Sequence, residues 1–314
     1  MNPRFTNLGA KPWAHCFLRL FTIGFTFAGL MVSTAMATES GASVYPAGVE
    51  TVMPGMAPAP GGTMFLEFDN FYQANALVNS QGHSEIPDFH LRVAAVAVKV
   101  VHNWGLHLLG GTLVSYAALP YLYEHVDAFF GAGAKTGFGN PDIQPVAVAY
   151  QHGDWHWWYG LDVFTPGFSY NKADLVNIGQ HNYALAPSGA FTYLPRRSTE
   201  ISSKFQLINN GKNDAMQYQS GREFIWEYDG MQNITKKLAV GVNGFYYQQT
   251  TPDRQNGIAV GNQGRDMAFG PEIRYHMGKM ALIAKYQRDA LVENRPVGNS
   301  FWLQLGLPIG KGHE

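Results

Sequence analysis

The segment Glu223-Phe224-Ile225-Trp226-Glu227-Tyr228-Asp229, at the centre of residues 221–232, decides how this chain is read. Phe224, Trp226 and Tyr228 fall on one parity, and Glu223, Glu227 and Asp229 fall on the other. An extended strand sends alternate side chains to opposite faces, so the aromatic rings share one face and the carboxylates share the other. A four-residue connection, 233–236, leads to a second alternating segment, 237–249. A polar turn of that length between two strands makes an antiparallel hairpin.

The same test works along the chain. Met267, Phe269, Ile273 and Tyr275 oppose Glu272, Arg274 and His276, and Ile201, Phe205 and Leu207 oppose Glu200, Ser202, Lys204 and Gln206. Phe301, Leu303, Leu305 and Leu307 oppose Ser300 and Gln304, and Met64, Leu66 and Phe68 oppose Glu67 and Asp69. Strands are expected at 63–72, 88–101, 104–116, 142–151, 155–164, 183–194, 199–209, 221–232, 237–249, 265–277, 280–290 and 300–309. Each is about the ten residues that a tilted strand needs to cross a bilayer.

The connections alternate in length. Residues 73–87, 117–141, 165–182, 210–220, 250–264 and 291–299 read as long, and 102–103, 152–154, 195–198, 233–236 and 278–279 read as short. An up-and-down barrel requires this, with external loops at one end and tight periplasmic turns at the other. Greek-key sandwiches do not produce it. The expected fold is all-β: a transmembrane antiparallel β-barrel of about twelve strands over 63–314.

Composition agrees. Charged residues make up 14% of the chain, against about 25% in soluble domains, while glycines number 35 and aromatics reach 14%. The formal charge of -1 gives no basic field for nucleic acid. Arg4, Lys11, the apolar run Leu20–Val32 and Ala35-Met36-Ala37 read as a cleaved secretory signal over 1–37. The only cysteine, Cys16, lies inside it, which leaves the mature chain without thiol chemistry. Residues 38–62, with Pro46, Pro54, Pro58 and Pro60, cannot form regular strand and read as a periplasmic leader or a plug.

Charge facing lipid is costly, so the ionisable face of each strand is assigned to the lumen. The candidate lumen-lining residues are Glu67, Asp69, Arg92, Glu200, Lys204, Glu223, Glu227, Glu272, Arg274 and Lys285. Their mixed signs suit either a paired internal network or a polar pore lining. Segments 88–101 and 104–116 are apolar on both faces, which suggests a partly hydrophobic lumen wall or a plug packed against it. Phe168, Tyr170, Asp253 and Arg254 are candidates for the external mouth. Trp155, Trp157, Trp158, Tyr159, Tyr246 and Tyr247 are expected at the headgroup level. His152, Asp154 and His156 read as polar turn residues, and no catalytic motif, metal set or cofactor site is expected.

Lys135-Thr136-Gly137-Phe138-Gly139-Asn140-Pro141-Asp142, Tyr45-Pro46-Ala47-Gly48-Val49-Glu50 and Phe224-Ile225-Trp226-Glu227-Tyr228 resemble the phenol meta-pathway outer-membrane family. The resemblance extends over the mature chain and implies a Gram-negative outer-membrane barrel, a channel for uptake of small hydrophobic or aromatic compounds linked to their catabolism. Expected partners are outer-membrane lipid and lipopolysaccharide, the barrel-assembly machinery and small hydrophobic solutes. A structural or adhesive barrel, and a barrel lipase or protease, are the competing readings.

Overall fold

A computed structural model of the chain describes residues 42–129, 131–195 and 198–310. The described residues all belong to one compact unit, Ala35–Glu314. The expected signal and Cys16 lie outside the described residues.

The strands are β1 (Thr63–Leu77), β2 (His90–Leu108), β3 (Gly111–Ala128), β4 (Gly131–Phe138), β5 (Asp142–His152), β6 (Trp155–Phe164), β7 (Ala184–Tyr193) and β8 (Thr199–Asn210). They continue with β9 (Tyr218–Gln219), β10 (Glu223–Asn233), β11 (Leu238–Gln249), β12 (Asp253–Gln255), β13 (Ile258–Gly261), β14 (Arg265–Met277), β15 (Met280–Glu293) and β16 (Pro296–Ile309). Every pairing is antiparallel, and β1 pairs with both β2 and β16, which closes the wall. Strands β4 and β5 pair with the upper and lower parts of β3 and act as one strand broken at Gly139–Pro141, so the closed barrel has twelve strands. Closure pairs the wall strands on both sides, as a wall surrounded by hydrocarbon demands, while β4, among the described residues, pairs with β3 alone. β9, β12 and β13 form a separate small sheet within the loops.

Two of the expected long loops are strand instead. β3 and β4 run on to Ala128 and Gly131, and β15 and β16 run on to Glu293 and Pro296, so 117–141 and 291–299 are extended hairpins. Gly131, Gly133 and Gly137 in β4 dilute the pattern that marks a strand, and the ladder alone orders them.

The turn expected at 102–103 is a bulge. Asn103 pairs with Val114 and the next pair is His107 with Thr112, so residues 104–106 stand against Leu113 alone. The hairpin closes at Leu109 and Gly110, whose φ angles of 49° and 83° supply the left-handed backbone that a two-residue turn requires.

The largest apolar core lies inside the barrel. Val44, Tyr45 and Val49 of the segment before β1 pack with Phe68, Phe164, Ile208, Ile225, Phe245 and Trp302 of the wall. A second cluster, Leu77, Ile86, Phe89 and Ala128, caps the loop end. The outer face carries Trp226, Phe269, Ile273, Tyr275 and Phe301, all exposed, opposite buried Glu227, Glu272, Arg274 and Trp302. That sidedness follows the parity seen in the sequence.

Candidate functional site: a leader threaded through the lumen

Residues 42–62 run through the barrel from the loops to the turns. At the loop end, the Ala42 carbonyl accepts a hydrogen bond from Gln180 Nε2 at 2.5 Å. At the turn end, Asn103 Nδ2 donates to the Pro58 carbonyl at 2.8 Å. Gly61 N donates to Asn103 O at 2.9 Å, and Asn103 N donates to Gly62 O at 3.0 Å. This explains the polar pair His102-Asn103: the bulge seats the leader instead of reversing the chain.

Between those ends the wall supplies polar partners at nearly every step. Tyr45 Oη donates to Glu227 Oε2 at 2.8 Å, and Glu50 N donates to Glu227 Oε1 at 3.2 Å. Lys285 Nζ donates to the carbonyls of Gly48 and Val49 at 2.7 and 2.8 Å and to Thr51 Oγ1 at 3.0 Å. Met53 N donates to Glu200 Oε1 at 2.8 Å, and Glu200 also pairs with Arg274. Trp158 Nε1 donates to Pro54 O at 2.6 Å, and Gly55 N to Thr192 Oγ1 at 3.0 Å. A Cβ on Gly55 would sit 2.3 Å from the Thr192 nitrogen, so only glycine lets leader and wall touch there.

The central anchor is ionic. Glu50 bridges Lys99 of β2 and Lys204 of β8, the latter at 2.6 Å. All three side chains are nearly removed from solvent, at 12%, 7% and 1% exposure respectively. Charges so buried persist only when paired. Lys99 also stands 3.5 Å from the centre of the Tyr116 ring, which adds a cation–π contact.

The leader does not fill the lumen. A cavity of about 300 Å³ lies beside it toward the turn end, bordered by Met64, Leu66, Val101, Val114, Ala147 and Trp158 and by Val52 and Met56 of the leader. His276 and Lys279 stand at its rim. A second cavity of about 180 Å³ lies toward the loop end, bordered by Val49, Val93, Ala95, Leu122 and Trp302. Glu124, Asn140 and Gln180 bring polar atoms to its upper edge.

Of the sequence candidates, the structure brings Glu200, Lys204, Glu227, Arg274 and Lys285 together around the leader. Glu223 is buried higher up, accepting from Asn210 Nδ2 at 2.6 Å, and buried Glu272 stands opposite Lys285 in the ladder.

Glu67 and Asp69 are placed differently from the expectation. Phe68 is buried against the leader, so its neighbours in β1 point outward to the membrane face. In β1 the apolar residues face inward because the lumen holds an apolar leader and cavity, and the parity argument inverts. Arg92 is likewise on the outer side, exposed, since Val93 lines the upper cavity.

Among the mouth residues, Phe168 is exposed and packs edge-on against Phe138, while Tyr170 stacks on His181. Arg254 donates to Gly257 O at 3.1 Å. Asp253 is fully buried, accepting from Gly221 N, Gln249 Nε2 and Tyr218 Oη, and it braces the loop base instead of lining a mouth. Trp158 and Tyr247, expected at the headgroups, turn inward, whereas Trp155 and Tyr159 are exposed on the outside. Among the described residues no cluster of histidine, cysteine and carboxylate groups could hold a metal ion.

Lys99 was missed by sequence reasoning. Its signal is a lone cation in the otherwise apolar parity class Val93, Ala95, Ala97, Val101, matched by Glu50 as the lone acid of the described leader.

The sequence profile of the family described as "Putative MetA-pathway of phenol degradation" matches residues 74–305. The chain belongs to this family. The matched span includes two of the three resembling segments, around Lys135–Asp142 and Phe224–Tyr228. Among solved structures, an outer membrane channel from Pseudomonas putida F1 superposes with a TM-score of 0.72 at 15% identity, covering 81% of this chain and 97% of that one. The β domain of a Bordetella autotransporter reaches a TM-score of 0.46 at 12% identity, covering 79% of this chain and 100% of its own. The first likeness places the fold among outer-membrane barrels. No curated protein matches the sequence.

Proposed function

We propose that this protein is an outer-membrane channel through which small hydrophobic compounds, aromatic ones among them, enter the cell for catabolism. The observation that carries the reading is the largely apolar cavity of about 300 Å³ held open between leader and wall, with Met64, Leu66, Val101 and Val114 on one side and Val52 and Met56 on the other. A cavity of a few hundred Å³ is in the range of small-molecule sites, and its lining suits a solute that gains by leaving water. Such solutes cross a lipopolysaccharide leaflet slowly, so a protein route with apolar walls gives a benefit that a water-filled pore does not. The family's description, which names phenol degradation, supports the aromatic part of the reading.

The test uses intact cells that lack the chromosomal copy and contain an intracellular enzyme that traps the solute. Uptake of toluene and phenol should rise with expression of this protein, while uptake of a sugar of similar size should not. Equal acceleration of the sugar, or no acceleration of either aromatic, overturns the reading.

A further inference from the structure

The two cavities beside the leader stand one above the other along the inner face of β1. Met64 and Leu66 border the lower one, Asn70 borders the upper one, and Phe68 borders both. Among the described residues, Phe68 alone is common to the two linings. Its side chain is 4% exposed and packs in the cluster with Val44, Tyr45, Val49 and Trp302. On the leader side the division falls between Val49, which lines the upper cavity, and Glu50, which lines the lower.

The tethering of the leader is asymmetric in a way that matters here. Its polar contacts go to β6, β7, β8, β10 and β15 and to Lys99 and Asn103 of β2. Among the described residues, none of the hydrogen bonds of leader residues 43–60 goes to β1 or β16, the strands that carry Phe68 and Trp302. The leader is fastened to β2 and β15, on either side of the β1–β16 pair, and merely packed against β1 and β16 themselves. A solute moving along β1 crosses no hydrogen bond between the leader and β1 or β16, and passes beside the Glu50–Lys99 pair at the edge of the lower cavity. A path through the Glu50 cluster would expose charges whose pairing is what makes their burial tolerable.

We propose that solute passes between the leader and the β1–β16 wall while the leader stays docked, and that Phe68 is the gate between an outer and an inner chamber. Rotation of one ring about its two side-chain torsions joins the chambers, a motion far smaller than ejection of a segment of about twenty residues. Phe68 thereby sets the size limit of the channel: a single flat ring slips past a displaced phenyl side chain, and a bulkier solute does not. The inference rests on the channel reading above.

The test compares Phe68→Ala, Phe68→Leu and Phe68→Trp in the same cellular uptake assay, with toluene and biphenyl as probes. Folding is checked by the heat-dependent gel migration typical of barrels, and leucine retains most of the bulk should alanine not fold. Alanine and leucine should raise toluene uptake several-fold and admit biphenyl, and tryptophan should lower toluene uptake below the parent level. Wild-type uptake with unchanged rates and unchanged size limit in the folded variants overturns the gate. No uptake by the wild type overturns the channel reading itself, and the two failures are distinct.

Discussion

Replacing Glu50 with alanine removes a carboxylate that pairs with two ammonium groups inside the barrel. Lys99 and Lys204 remain, 7% and 1% exposed, without the anion that offsets their burial. Removing one partner of a buried pair costs about 3–5 kcal/mol. Other lumen carboxylates, Glu227 among them, soften the loss, which places the effect near 3 kcal/mol, the lower end of that range. Because the cost falls on the docked state, the undocked population of the leader should rise by roughly two orders of magnitude. Hydrogen exchange of the 42–62 amides in detergent or nanodiscs reads that population directly. Faster exchange over 42–62, with the strand amides unchanged, is the expected result. Glu50→Gln, which keeps hydrogen bonding but not charge, should fall between. Exchange within threefold of the parent would refute the argument that this ion triad anchors the leader.

Four further outcomes follow from the same geometry. Gly55→Val should displace the leader near Thr192 and speed exchange of 52–57, because its Cβ would sit 2.3 Å from a backbone nitrogen; an unchanged profile would show that the contact yields freely. Trp158→Phe, which deletes the bond to Pro54 O, should lower stability by about 1 kcal/mol in urea unfolding from lipid vesicles. Asp69→Leu should leave the barrel as stable or make it more so, since the carboxylate faces the membrane, whereas Glu227→Leu should destabilise it by releasing Tyr45 and the Glu50 amide. Gly110→Ala should cost about 1 kcal/mol through the left-handed φ of 83° at that turn.

Much of the barrel was legible because lipid makes alternation unambiguous: Trp226 against Glu227, or Ile273 against Arg274, can face only one way. The same rule misread β1. There the inner face is apolar, since Phe68 meets the leader instead of water, and Glu67 and Asp69 were assigned inward on charge alone. The parity of one strand shows two faces but not which is inside when both environments are apolar. The bulge at Asn103 was misread for a related reason: a polar pair marks a turn locally, and its use by Pro58, Gly61 and Gly62 is a contact across some forty residues of sequence. The extended hairpins β3–β4 and β15–β16 escaped because glycines and prolines in them, such as Gly133 and Pro296, are held by pairing and not by propensity. The leader's place was open from composition, and the pairing of Glu50 with Lys99, a contact across some fifty residues of sequence, was not legible.

The central claim is that small hydrophobic solutes occupy the cavity beside the leader. It is tested most directly by a crystal structure of the protein soaked with an iodinated phenol, whose anomalous scattering marks the ring. An iodine peak is expected between Met64, Leu66, Val101 and Trp158, with Glu50 still bound to Lys99 and Lys204. Iodine found only on the lipid-facing surface at saturating ligand, or in a lumen from which the leader has gone, would contradict it.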